Sequence, residues 1–374
     1  MSSRILMLNY EFPPLGGGAA NANYYFLREF SKNKNIKIDF ITSSTSKFVI
    51  KIFSKNINIH YINIGKNKKN LQYQSIKDLI YYSCGAYFYA KKLFKKNQYN
   101  LIHAWFGIPC GFIAMLLGKP YLVSLRGSDV PFHNPRFEIL DKFFFKHLSK
   151  IIWRKARVII ANSEGLKKLA QKTAPNQKIE IIYNGINTKE FKPVKNKKSS
   201  KVLRIICVAR LTKIKGIDYL LKALGTLRNK NIVLTLIGDG KEKENLKELA
   251  KDLKIEEKVK FLGSIPHQKI VKYYQESDIF VLPSLNEGMS NTILEAMACK
   301  LAIIATNTGG TKELIQGNGF IVPKADTDAL RNAIKQFLNN PLLIKSMGEK
   351  SRSIAEQMNW SEVAEKYNTI YELA

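Results

Sequence analysis

Residues 278–304, DIFVLPSLNEGMSNTILEAMACKLAII, constrain the fold of this chain more than any other stretch. Asp278 to Leu282 is a short apolar, β-branched run closed by Pro283, the pattern of a buried strand. A polar loop follows from Ser284 to Asn291, with Gly288 in its middle. The spacing then predicts a helix from Thr292, with Ile293, Leu294, Met297 and Ala298 on one face. Leu301 to Ala305 reads as a second strand. The loop of this strand–loop–helix–strand unit lies where a parallel strand's carboxyl end meets a helix N-terminus, the place where open α/β sheets bind ligands. Free N–H groups there favour an anion such as phosphate, by roughly 0.3–1 kcal/mol and up to about 2 in a partly buried site.

Two carboxylates stand in this unit, and each has two readings. Glu295 fits a capping box over Thr292-Ile293-Leu294-Glu295, bonding back to the cap's N–H. Glu287 fits a solvated loop acid. Both also fit a site whose ligand carries hydroxyls beside its phosphates: the acids accept from the hydroxyls while backbone N–H groups take a diphosphate.

Glu287, seven residues, then Glu295, inside NEGMSNTILEAMA, resembles the E-x7-E signature of glycosyltransferase family 4, and the flanking EGM and LEAMA agree with it. The resemblance implies a retaining transferase of the GT-B fold, α/β, with two Rossmann-like doubly wound domains facing a cleft. It extends over nearly the whole chain, closely from 202 to 325 and more loosely before 190.

Length and composition fit. A chain of 374 residues exceeds one ordinary domain, and two of roughly 150–190 are expected. No apolar segment approaches the ~20 residues of a membrane span, and Ile5 to Leu8 is too short a run for a leader. Cys84, Cys110, Cys207 and Cys299 are scattered without a C-x-x-C pair and read as buried thiols in a reducing cytoplasm. The net charge of +30 suits nucleic acid or an anionic membrane surface. Only eleven of the 60 basic residues are Arg, few for a protein that reads phosphates by bidentate contacts. No aromatic-interleaved basic motif is present either. Membrane is favoured over nucleic acid.

Arg4 to Asn9 reads as the first strand. The loop Tyr10 to Gly18 carries Pro13-Pro14 and Gly16-Gly17-Gly18, and a helix runs from Ala19 to Lys32. G-x-G-x-x-G is absent, so no dinucleotide site is implied. Three glycines fit a flexible loop; the resemblance instead brings Gly17 and Gly18 to the donor, where close backbone approach needs no side chain. Strands are expected at Ile36 to Ser43, Ile57 to Ile62, Asn100 to Trp105, Tyr121 to Leu125, Val158 to Asn162 and 179–187. Residues 75–96 and 143–157 are helical patterns rich in aromatics and lysine, which fit either amphipathic core helices or a face lying on an anionic membrane. His103, at a strand end, is packed or a cleft residue, and the resemblance favours the cleft. Arg126 stands before Gly127 where many relatives have histidine. An arginine stays protonated and is a poor base, but it can pair with a phosphate or sit over developing charge.

The lysine-rich run Pro193 to Lys201 reads as the linker between domains. Val202 to Ala209 opens the second half, with a helix ending near Leu227, strands at Ile232 to Ile237, Val259 to Leu262 and Gly319 to Val322, and helices over 326–357. Arg210 and Lys215, beyond the first of these strands, fit plain surface charge; the resemblance makes them the holders of the donor diphosphate, in place of a metal. The resemblance implies a domain plan of 1–192 for the acceptor, 193–358 for the nucleotide-sugar, and a last helix over 359–374 returning to the first domain.

The resemblance further implies that Glu295 holds ribose hydroxyls and Glu287 sugar hydroxyls near the anomeric centre. Arg210, Lys215 and N–H groups of Gly288, Met289, Ser290 and Asn291 stabilise the departing diphosphate, with Gly238 and Gly263 beside the nucleotide. The expected partners are a nucleotide-sugar donor, a saccharide or lipid-linked acceptor and an anionic membrane surface, with no nucleic acid, no cofactor and no metal. Location is expected to be cytoplasmic, peripheral on the inner membrane face. A nucleotide-sugar epimerase of the same fold and a basic nucleic-acid-binding protein are the alternatives.

Overall fold

The computed structural model describes residues 3–66, 71–133, 138–194, 201–227 and 231–373. They divide into two compact units, Met1–Asn184 together with Trp360–Ala374, and Gly185–Asn359.

The first unit is built on an eight-stranded sheet. Its strands are β1 (Ser3–Leu8), β2 (Ile36–Ser44), β3 (Val49–Ser54), β4 (Ile57–Asn63), β5 (Leu101–Trp105), β6 (Tyr121–Leu125), β7 (Val158–Ala161) and β8 (Glu180–Ile181). They lie in the order β3-β4-β2-β1-β5-β6-β7-β8, parallel except for β3 against β4. Ile5 of β1 stands between Ile38 of β2 and Leu101 of β5, so the strand order reverses between β1 and β5. Such near-continuous apolar strands are what a sheet covered on both faces requires. Right-handed crossovers put the helices Ile76–Lys96, Phe112–Leu116 and Lys146–Lys155 on one face, where they pack in series. Helix Gly18–Phe30 packs with the C-terminal helix Trp360–Leu373 on the other.

The second unit holds β9 (Leu203–Val208), β10 (Ile232–Ile237), β11 (Val259–Phe261), β12 (Ile279–Leu282), β13 (Ala302–Thr306) and β14 (Gly319–Val322). All pair in parallel, in the order β11-β10-β9-β12-β13-β14. Here the order reverses between β9 and β12. Both sheets are therefore doubly wound.

Several expectations are corrected. The strand expected over 179–187 is only Glu180–Ile181, because the chain leaves the first sheet at Asn184 and Ile186 pairs with Asn359 in the second unit. Strand β3 was hidden in a lysine- and asparagine-rich stretch. The aromatic segment before Arg157 is broken into Glu138–Leu140, a wider turn over Asp141–Phe145, and Lys146–Lys155. The helices expected over 326–357 do form, as Thr327–Asn339 and Leu342–Glu356 with Pro341 between them. Cys84 is exposed while Cys110, Cys207 and Cys299 are buried. The units divide at Asn184, earlier than position 192, and the linker expected at 193–201 lies largely outside the described residues.

Candidate active site

The second unit concentrates the chemistry at the carboxyl ends of its strands, on either side of the β9/β12 reversal. Beyond β9, Lys213–Lys215 makes one tight turn that Gly216 ends in a left-handed conformation, φ +58°. A Cβ on Gly216 would meet the Pro283 carbonyl at 2.3 Å, so glycine lets the β9 loop close onto the end of β12. The Leu285 N–H donates to the Ile214 carbonyl at 2.8 Å across the same seam. This packing brings Lys215 Nζ onto Glu287 Oε1 as an ion pair, each side chain about 15% exposed. The Ser284 hydroxyl donates to the same oxygen at 2.7 Å. Beside the pair, burial pushes the Cys207 thiol up to about 12, leaving a neutral floor.

The Glu287 loop is fixed from its other side by the turn after β13. The Gly310 N–H donates to the Gly288 carbonyl at 2.7 Å, and a Cβ on Gly309 would lie 2.1 Å from that oxygen. Met289 and Ser290 are buried. Ser290 caps the helix Asn291–Ala298, its hydroxyl accepting from the Ile293 N–H at 3.3 Å. That corrects the capping box: Thr292 is not the cap and Glu295 does not bond back to it. Glu295 is instead 4% exposed, its Oε1 at 2.8 Å from His267 Nε2 and its Oε2 accepting from the Tyr274 hydroxyl at 2.8 Å. Burial pulls His267 down, but the charge and hydrogen bond of Glu295 outweigh it and leave its pKa raised.

The remaining glycines line the neighbouring strand ends. A Cβ on Gly238 would lie 1.9 Å from the Ala209 carbonyl, and its N–H donates to the Gly263 carbonyl at 2.8 Å. Arg210 follows at the end of β9, exposed. The structure thus brings together Lys215, Glu287 and Gly288, and seats Arg210, Gly238, Gly263 and Glu295 on the same end of the second sheet.

In the first unit Gly17 and Gly18 open the helix Gly18–Phe30 beyond β1. A Cβ at Gly17 would meet nothing within 4 Å, so that backbone faces open space. The Gly17 N–H donates to Glu11 Oε2 at 3.3 Å. His103 is different from what its strand-end position suggested. It has no exposed surface, and both ring nitrogens are engaged, Nδ1 with the Tyr371 hydroxyl at 2.6 Å and Nε2 with Ser124 Oγ at 2.8 Å. Burial, aided by Arg126, holds its pKa well below 6.5. His103 is a packed, neutral histidine rather than the cleft residue expected. The Arg126 guanidinium carbon lies over Trp105, 3.6 Å from the ring centroid, and its Nη1 donates to Asn184 Oδ1 at 2.8 Å. Its Nε is buried without a partner among the described residues, and burial lowers its pKa.

Sequence reasoning did not single out His267, Tyr274 or Ser284. A histidine on a turn, a tyrosine in a helix and a loop serine carry no spacing signal toward glutamates that only the tertiary fold brings near.

Comparison with known proteins agrees with this geometry. Residues 188–354 match the family model "Glycosyl transferases group 1", and residues 16–190 match "Glycosyltransferase Family 4". An uncharacterized glycosyltransferase of Haemophilus influenzae is 33% identical over 263 residues, covering 68% of this chain and 73% of that protein. Another, from Methanocaldococcus jannaschii, is 30% identical over 247 residues, and this match spans 62% of each chain, less than two thirds. Among solved structures, the sucrose-phosphate synthase of Thermosynechococcus elongatus superposes with a TM-score of 0.87 at 21% identity, over 99% of this chain and 98% of that one. Anabaena HepE in complex with UDP-glucose superposes with a TM-score of 0.76 at 18% identity, over 99% and 100%. The chain therefore has the GT-B fold and belongs to the family 4, group 1 glycosyltransferases.

Proposed function

We propose that this protein is a retaining, metal-independent glycosyltransferase. It moves a sugar from a nucleotide-sugar, a UDP-sugar in preference to a GDP-sugar, to a saccharide or lipid-linked saccharide. The setting is bacterial cell-surface polysaccharide, lipopolysaccharide or glycolipid assembly on the cytoplasmic side of the membrane. The observation that carries the reading is the Lys215–Glu287 pair across the β9/β12 reversal, where a doubly wound sheet takes its ligand. The UDP-glucose complex of the structurally similar HepE favours UDP.

In this reading Lys215 and Arg210 meet the negative charge that grows on the departing diphosphate, which is where fixed charges lower a barrier most. The N–H groups from Gly288 to Asn291 add donors at the start of a helix. Lys215 exchanges its Glu287 contact for a phosphate oxygen, and Glu287 turns to the sugar hydroxyls. Glu295 takes the ribose hydroxyls. The acceptor oxygen attacks the anomeric carbon on the face the diphosphate leaves, forming the new glycosidic bond with retention. The acceptor proton passes to the diphosphate.

The test is turnover of Glu287→Gln and Lys215→Ala with the nucleotide-sugar whose nucleotide raises the melting temperature of the wild type. Each is expected to lose about 10²–10³ in kcat, the scale of one lost transition-state contact, with wild-type circular dichroism. Wild-type rates in both folded variants would sink the assignment.

A further inference from the structure

Large exposed side chains are unevenly distributed. In the second unit, among the described residues, they are the scattered Val194, Leu262, Ile321 and Leu342, as on any protein surface. In the first unit one group stands at edge strand β3 (Phe48, Val49, Ile50 and Ile52), and the larger group crowds the outer side of the helical layer that covers one sheet face. Along Ile76–Lys96 the outward positions Lys77, Tyr81, Cys84, Phe88 and Lys92 are spaced four, three, four and four apart and are exposed. That is a single helical stripe with an apolar middle and lysine ends. Phe88 is 69% exposed, while Tyr82, Ala86 and Ala90 on the opposite side are buried.

The helix Lys146–Lys155 and the turn before it repeat the pattern. Phe143 is 73% and Phe144 57% exposed; Lys150, Ile151 and Arg154 continue the same exposed side. Leu116, 51% exposed, ends the short helix Phe112–Leu116 that packs between the two. The acids of these segments are turned away. Asp78 is buried, accepting from Ser75 and Lys66, and Asp141 is buried, accepting from the Phe132 N–H. Glu138 alone is an exposed acid there.

We propose that the outer side of this helical layer docks on an anionic lipid bilayer. The pairing of protruding aromatics with lysine and arginine decides the occupant. Apolar side chains enter the boundary between headgroups and acyl chains while the basic residues stay at the level of the phosphates. A second copy of the chain would set like charges against like over the same area. No helix among the described residues is long and apolar enough to cross a membrane, so attachment is to the surface. The inference rests on the lipid-linked acceptor proposed above, and names the surface on which that acceptor would be met.

The test is co-sedimentation of the full chain with phosphatidylglycerol-containing vesicles, with pure phosphatidylcholine vesicles as reference, at low and high salt. Wild type is expected to pellet with the anionic vesicles only, and to be released by salt. Phe143→Ser with Phe144→Ser should cut the affinity at least tenfold. Lys150→Glu with Arg154→Glu should cost more, since each basic residue near an anionic surface is worth roughly fivefold. Leu342→Ser in the second unit should change nothing. Equal binding by all variants, no pelleting of wild type, or a dimer in gel filtration that Phe143→Ser abolishes without vesicle binding would each overturn the proposal. Nucleotide thermal shifts, run on the same samples, separate the two readings. Donor binding without vesicle binding removes the docking face alone; vesicle binding without donor binding removes the transferase reading.

Discussion

Glu295 has both oxygens engaged inside the second unit, and that sets what a ligand must do to reach it. Tyr274 is fully buried and holds one oxygen, whereas the His267 side chain is 23% exposed and can yield the other to a hydroxyl. The ion pair also makes a pH statement. A group whose folded pKa is raised stabilises the fold fully below its unfolded value, here 6.5, and the gain is lost as pH rises through the folded pKa. Replacing His267 with Gln should therefore cost about 1–3 kcal/mol below that value and less in mild alkali. Thermal unfolding of wild type and variant across this range checks it; a constant difference would mean that His267 is neutral in the fold. Tyr274→Phe should cost a similar amount at every pH, because its proton does not leave in that range.

The C-terminal helix Trp360–Leu373 is held to the first sheet by a polar cluster as well as by packing. The Tyr371 hydroxyl meets His103, and the Tyr367 hydroxyl meets Ser124 at 2.8 Å. Trp360 stacks on Tyr25 with ring centroids 6.2 Å apart, and Asn33 Nδ2 donates to Asn368 Oδ1 at 3.0 Å. Tyr371→Phe leaves one nitrogen of a buried imidazole unpaired, a loss of about 1–3 kcal/mol, whereas Leu373→Ser, at a residue 81% exposed, should be silent. Chemical unfolding followed by tryptophan fluorescence distinguishes them, and equal midpoints would show the hydroxyl contact to be idle. This cluster also marks the limit of what the chain discloses by itself. Elements with strong periods, such as Ile76–Lys96 and β12, are legible because burial imposes the pattern locally. E-x7-E is legible because both glutamates belong to one loop and helix. His103, Tyr371 and Ser124 meet across up to 268 positions, and no local pattern encodes such a meeting. The same holds for Lys215 and Glu287, 72 apart, which the family resemblance alone brought together. Strand 179–187 failed for the converse reason: its residues have strand propensity, but the sheet ends before they can pair.

At the scale of the molecule, the two units carry titrating groups of opposite sense. His103, buried in the first, has its pKa held well below 6.5 by burial. Below that value the unfolded chain takes up a proton that the folded unit refuses, so stability falls as the solution is acidified, by about 1.4 kcal/mol per pH unit at the steepest. His267, in the second, is raised and favours the fold as pH drops through the same range. Nearer the carboxylate range Asp39 joins His103. Burial opposes its charge, but hydrogen bonds from His60, Tyr99 and Asn58, with Arg4, hold its carboxyl well below 3.8, and the stability this gives is lost as pH falls. Asp129 and Asp141, both raised by burial, act in the opposite direction. The chain offers its own reporter. All three tryptophans, Trp105, Trp153 and Trp360, belong to the first unit, so their fluorescence follows that unit, while far-UV circular dichroism follows both. Acidification from neutral to about one pH unit below 6.5 should lower the fluorescence melting midpoint by some 2–5 °C, at about 2–4 °C per kcal/mol for a unit of this size. The dichroism transition should broaden or split as the second unit lags behind. His103→Gln, which removes the titrating group, should flatten the fluorescence trend. A fluorescence midpoint that moves no more than the dichroism midpoint would refute the division of acid sensitivity between the units.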